Sequence, residues 1–249
     1  MIRISTLVLA ALATLSIPVA AQAEGDHGQA SWGYAGAGGF QNWGDLDAKY
    51  HACKDGQKQS PINIHEYASD DLPSLAPTYK STDAEVINNG HTIQVNMADS
   101  GALNVDGQTY DLLQFHFHTP SEHYIDGAPY PMEVHFVHQA KDGTLGVVGV
   151  LFELGASNAA IDKIWKAIPA AGAKGNNITL SGMDLLPDSL DYYKYEGSLT
   201  TPPCSEGVQW HVVKSPLTMS EEQLLAFQSL FSVNARPVQP LNTRKVTGK

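Results

Sequence analysis

The sequence predicts a single, mainly-β domain, and three observations carry that expectation. From Glu85 to Glu153 short apolar runs alternate in character and are split by turn residues. Asp106-Gly107 stands between Leu103-Asn104-Val105 and Gln108-Thr109-Tyr110, the pattern of a two-residue hairpin. Only two stretches carry a helical period, and no repeat, linker or low-complexity block divides the chain. A chain of 249 residues fits one all-β domain and buries a sizeable core.

At the N-terminus, Met1 and Arg3 precede the apolar run Leu7 to Ala13, and Ala21-Gln22-Ala23 gives small-x-small before Glu24. This predicts a secretory signal peptide over residues 1–23 and a domain over 24–249. Ser5, Thr6, Thr14, Ser16 and Pro18 interrupt the run, whereas a span needs about 20 apolar residues. Stable membrane insertion is therefore not expected. Export changes the reading of Cys53 and Cys204, because an even pair in an oxidising compartment favours a disulfide. It closes a loop of about 150 residues, worth at most roughly 5 kcal/mol by chain entropy.

Residues 24–40 are rich in Gly and Ala around Trp32, Tyr34 and Phe40, which suggests an arm laid over the domain. After the first hairpin, Lys141-Asp142-Gly143 makes a second turn between strands at Glu133–Gln139 and Thr144–Glu153. A helix is expected over Ser157–Ala171, where Ile161, Ile164, Trp165 and Ile168 share a stripe. Another is expected over Ser220–Phe231. It opens with the capping box Ser220-x-x-Gln223 and carries Leu224, Phe227 and Phe231 at helical spacing.

Lys and Arg total 15 against 26 Asp and Glu, a net charge of −11. A nucleic-acid partner is not expected, since phosphate backbones require clustered cations. Two cysteines are too few for a thiolate metal cluster, but ten histidines can supply imidazoles. They do so at Gln114-Phe115-His116-Phe117-His118. On a strand, Gln114, His116 and His118 share one face while Phe115 and Phe117 take the other. A return strand at Met132–Val137 adds His135, with Glu133 on its face and His138 pointing the opposite way. Three neutral imidazoles without a fourth protein ligand describe an open, catalytic zinc site. Gln114 and Glu133 are placed to hold ring N–H groups. His116-x-His118-x-x-x-Glu122 also fits the front half of a cupin motif, in which Glu122 is itself a ligand of an iron or manganese oxidase or isomerase.

Read in order, five strings resemble the α-class carbonic anhydrases. They are Gln59-Ser60-Pro61-Ile62-Asn63-Ile64, Asn88-Asn89-Gly90-His91, the series from His116 and His118 through Ser121-Glu122-His123 to Glu133-x-His135, Gly197-Ser198-Leu199-Thr200-Thr201-Pro202-Pro203, and Asn234-x-Arg236-Pro237-x-Gln239-Pro240-Leu241. The resemblance spans about Trp32 to Leu241. It implies one domain around a large twisted, mostly antiparallel central sheet with a few short peripheral helices. The implied activity is zinc-dependent, reversible hydration of CO2 to bicarbonate and a proton.

Carried over by motif, His116, His118 and His135 match the Zn2+ ligands and Thr200 matches the threonine that orients the attacking hydroxide. Glu122 matches the acid behind that threonine, which makes it a supporting group and disfavours the cupin reading. The resemblance further implies that Val137, Val147, Leu199, Val208 and Trp210 line the CO2 pocket with Thr201, and that His91 is the proton shuttle. The short Thr119-Pro120 segment resembles secreted bacterial members, so with the leader a bacterial periplasm is the expected location. The cysteine pair would also tether the loop that presents Thr200. A non-catalytic module of the same family would be marked by loss of a metal histidine, and all three stand here. A homodimer is the assembly considered.

Overall fold

The computed structural model describes residues 31–249. The expected leader, its cleavage site and the first part of the arm lie outside the described residues. Among those residues a 13-stranded sheet dominates. Its principal strands are β1 (Thr82–Asn88), β2 (Ile93–Asn96), β3 (Ala102–Val105), β4 (Gln108–His118), β5 (Met132–Ala140) and β6 (Leu145–Leu154). They continue with β7 (Asn176–Leu180), β8 (Tyr192–Ser198) and β9 (Glu206–Val213). The spatial order is β7-β1-β2-β4-β5-β6-β9-β8, with Thr247–Gly248 and Ala68–Ser69 completing the edge. Most pairings are antiparallel, as the resemblance implied, but β6 and β9 run parallel.

Local chemistry explains the elements. Asp106 and Gly107 both have positive φ, 53° and 72°, which the tight β3–β4 turn requires. Helix α1 (Ala159–Trp165) is capped by Asn158, whose side chain accepts from the Ala160 and Ile161 amides. It stops short of the expected Ala171, and Pro169 disfavours helical geometry at the residue before it. Helix α2 (Glu221–Gln228) forms the expected capping box between Ser220 and Gln223 and ends three residues early.

The sheet separates two apolar clusters. The larger holds Phe115, Phe117, Val134, Phe136 and the α1 and α2 side chains, and the smaller holds Ile62, Val137, Val147, Val208 and Trp210. A register shift opposite Val137 and His138 leaves Leu113 of β4 without a partner and exposed. This bulge keeps Tyr110 and Leu112 as well as Phe115 and Phe117 in the larger core, and turns Gln114, His116 and His118 to the other side. No helix among the described residues is long and apolar enough to cross a membrane.

Candidate metal centre

His116 and His135 are direct cross-strand partners on β4 and β5, and His118 faces Glu133. Partners on one face place their Cβ atoms about 5 Å apart, so the rings meet. Ring centroids are 5.0 Å apart for His116 and His118, 5.4 Å for His116 and His135, and 4.6 Å for His118 and His135. One ring nitrogen from each lies within 4.8 Å of the others, a group that could hold a metal ion.

Two tautomers are fixed by acceptors. His116 Nδ1 is 2.9 Å from Gln114 Oε1, and His118 Nδ1 is 2.7 Å from the Asn234 carbonyl oxygen. A carbonyl oxygen only accepts, so each Nδ1 carries the proton and each Nε2 presents a lone pair. In His135 the nitrogens exchange roles. Its Nε2 lies 3.0 Å from Glu133 Oε1, a close contact that falls short of hydrogen-bond geometry. Its Nδ1 is 3.8 Å from Glu122 Oε2, the same oxygen that lies 3.5 Å from His118 Nε2.

Burial holds His116 well below the ordinary imidazole range, and the neighbouring His118 and His135 add to that depression. Burial also lowers His118, against the pull of Glu122. Both rings are thus held toward the neutral form, the one able to bind a metal. For His135 burial opposes the charge, but Glu133 outweighs it and raises the ring. Burial would raise Glu133 itself, yet His123 and His135 hold it well below the usual carboxylate range.

Glu133 is engaged on every side. Its Oε2 accepts from the Glu122 and His123 amides at 2.9 and 2.8 Å, and its Oε1 lies 2.8 Å from His123 Nδ1. His123 Nδ1 must therefore donate, which leaves Nε2 to accept from the Tyr195 hydroxyl 2.6 Å away. Tyr195 meets Ser60 Oγ at 2.9 Å, and Ser60 Oγ accepts from the Ser198 amide at 3.0 Å. His123, Glu133 and His135 also form a metal-sized group. These bonds occupy it, so it works as the support behind His135.

The other expected site residues surround this centre. Glu122 is fully buried, and its Oε1 accepts from the Arg236 amide at 2.8 Å. Its Oε2 has no hydrogen-bond partner, so the Thr200-to-Glu122 bond that the motif implies is not formed. The carboxylate oxygen lies instead beside the ring nitrogens of His118 and His135. Thr200 is nearly buried, and Thr201 lines a cleft of about 130 Å³ with His116, His118, Gln94, Gln114 and His91. Val137, Val147, Val208 and Trp210 form one apolar cluster with Leu199 packed against it, and the Trp210 ring is 4.9 Å from that of His135.

His91 sits at the cleft rim, stacked on Trp32 with ring centroids 3.8 Å apart and planes 7° from parallel. Burial lowers its pKa from the ordinary value. The expected arm is thus present from Trp32 onward, and Trp32 and Tyr34 pack edge-on against Trp43. Cys53 and Cys204 form the expected disulfide, with Cα atoms 5.0 Å apart. The Cys204 amide donates to Thr201 O at 2.9 Å, so the bridge anchors the turn that carries Thr200.

Sequence reasoning gave no role to Ser60, His123, Tyr195, Asn234 or Arg236, although all but Tyr195 stand in the five strings. A polar residue inside an otherwise apolar or Pro-flanked string was the available signal. Glu122 belongs to neither metal-sized group, although its Oε2 lies near His118 Nε2 and His135 Nδ1.

Comparison with known proteins agrees with the geometry. The family model of the eukaryotic-type carbonic anhydrases matches residues 38–249. A carbonic anhydrase of Neisseria gonorrhoeae is 45% identical over 229 residues, 91% of this chain and 90% of that protein. One of Pectobacterium carotovorum is 44% identical over 216 residues, 86% of this chain and 88% of that protein. Among solved structures, the α-carbonic anhydrase of Thermovibrio ammonificans in complex with the inhibitor sulfanilamide superposes with a TM-score of 0.85 at 48% identity. That match covers 88% of this chain and all of that one.

Proposed function

The chain belongs to the α-class, eukaryotic-type carbonic anhydrase family, and from that premise we propose that it hydrates CO2 reversibly with one zinc ion held by His116, His118 and His135. The observation that carries the reading is the convergence of three imidazoles, two with Nδ1 committed to a carbonyl acceptor and the third backed by Glu133. Three nitrogen donors without a fourth protein ligand suit an open zinc site. Bound zinc supplies a hydroxide nucleophile near neutral pH by lowering the pKa of water to about 7, a magnitude for which carbonic anhydrase is the standard example.

The chain's own residues orient that nucleophile. Glu122 Oε2 is a buried acceptor with its site open. A Thr200 hydroxyl that donates there can only accept from the nucleophile, which turns a lone pair toward CO2. Val137, Val147, Leu199, Val208 and Trp210, beside Thr201, offer an apolar wall to a small uncharged substrate. Placement matters more than affinity for such a substrate. His91 is a neutral imidazole at the rim, able to take the product proton and pass it to solvent.

The leader reading extends this assignment. We infer cleavage after Ala23 and a working place outside the bacterial cytoplasm, and the Cys53–Cys204 bridge fits an oxidising compartment. Stopped-flow CO2 hydration before and after chelation tests the function. Activity should vanish with the chelator and return with added zinc. Undiminished hydration by metal-free protein would refute the zinc-dependent reading.

A further inference from the structure

The segment Asn234–Arg236 passes behind the metal centre and touches it twice. The Asn234 carbonyl fixes His118, and the Arg236 amide holds Glu122 Oε1. The Asn234 end is held by its own bonds to Thr119, His91 and Phe117, and the Arg236 end by the Arg236 side chain, which is 3% exposed. Its Nη1 donates to Gln59 Oε1 at 2.9 Å and Ser60 O at 2.8 Å, and its Nη2 donates to Cys53 O at 3.0 Å. The guanidinium also lies 5.7 Å from the Trp43 ring centroid.

All three acceptors are neutral. Burying a cation on neutral acceptors alone is costly, and an apolar side chain would pack the same space more cheaply. The retained charge has one carboxylate acting on it, Glu122, reached through the strap's own backbone. Burial lowers the Arg236 pKa to about 10 and Glu122 works against that shift, so the group stays cationic at neutral pH.

We propose that Arg236 is a positioning residue for Glu122: its guanidinium locks its end of the strap so that the Arg236 amide grips one carboxylate oxygen and leaves the other free to accept. The clamp reaches the opposite wall as well. Gln59 Nε2 donates to Cys204 O at 3.1 Å, and Cys204 is bonded both to Cys53 and, through its amide, to Thr201 O. Glu122 and the turn carrying Thr200 are therefore held to one frame, with Arg236 at its junction. The proposal rests on the reading of Glu122 as the acid behind the nucleophile.

A double-mutant cycle and an exchange measurement test it. Arg236→Met should lower kcat/KM about tenfold, the scale of one misplaced charge-assisted hydrogen bond, with zinc content unchanged, and Arg236→Lys should recover part of the loss. In a Glu122→Gln background Arg236→Met should cost less than about twofold, because the group it positions no longer works. The thermal midpoint should drop alike in both backgrounds. Equal activity losses in the two backgrounds, or none in either, would overturn the positioning role.

The second measurement needs no activity. Hydrogen exchange of the residue 236 amide in zinc-free protein should quicken about tenfold or more in Arg236→Met, and unchanged protection would also overturn the proposal. Should the wild type fail to hydrate CO2, the functional reading falls while the exchange result still decides the clamp. If Arg236→Met does not fold, Arg236→Lys carries both measurements.

Discussion

The residues at the candidate metal centre are held in two ways. His116, His118 and His135 stand on β4 and β5, where pairing register alone makes them converge. Glu122, Thr200 and His91 stand on bends, and each is placed by something distant in sequence. Arg236 holds Glu122, the Cys53–Cys204 bridge anchors the turn of Thr200, and Trp32 with Asn234 fixes His91. Strand-borne side chains inherit the rigidity of a 13-stranded sheet. Bend-borne groups need their own fastenings, and those fastenings can be removed one at a time. Metal retention and turnover should therefore separate under mutation.

The largest effect is expected at a strand position. His135→Ala should abolish stoichiometric zinc retention and with it CO2 hydration, as read by metal analysis of purified protein. Full zinc content in that variant would remove His135 from the ligand set. Opening the disulfide by replacing both cysteines with Ser should cost about 2–5 kcal/mol of stability, measured by denaturant unfolding, while leaving the zinc ligands intact. Thr200→Ala should lower kcat/KM by about a hundredfold, the usual scale for a lost orienting group in a dry site, with zinc binding near normal. If zinc and activity are lost together there, the bend is as much a part of the metal site as the strands.

The opposite face of β5 offers a sharper contrast. His138 is fully buried three residues from His135, held between the Tyr79 hydroxyl at 2.6 Å and Gly146 O at 3.1 Å. Burial lowers its pKa to about 4, whereas Glu133 raises that of His135. The unfolded chain, with an ordinary value near 6.5, binds the extra proton first. Stability from His138 is thus complete above about pH 6.5 and is lost as pH falls toward 4, by roughly 0.7 kcal/mol between pH 7 and 6. His138→Gln should flatten that part of the pH dependence of the thermal midpoint. An unchanged slope would place the titration elsewhere.

The smallest effect is kinetic. His91→Ala should slow hydration a few-fold only in weak buffer, and imidazole should restore the rate. Wild-type speed in weak buffer would mean that the proton leaves by another route.

The same division explains what the sequence made legible. His116 and His118 at i and i+2, with Phe115 and Phe117 between them, announce one polar and one apolar face on a strand. Gln114 and Glu133 follow by parity, and Asp106-Gly107 marks its turn through the demand for positive φ. The helix ends and the parallel β6–β9 pairing were less legible, because tertiary packing sets them. The support behind the histidines was hidden for a related reason. Arg236 reaches Cys53, Gln59 and Ser60 across more than 170 positions of chain, and no local period encodes such a contact. The five strings could be matched to a family, but what Ser60, Tyr195 and Arg236 do there became visible only from their hydrogen bonds.

The central claim is that strands carry the metal and bends do not. Anomalous diffraction at the zinc absorption edge, on crystals of the purified protein, tests it most directly. One peak per chain is expected, about 2.0–2.1 Å from His116 Nε2, His118 Nε2 and His135 Nδ1, with both Glu122 oxygens beyond bonding distance. A zinc ion bonded to Glu122, or one seated among His123, Glu133 and His135, would contradict it.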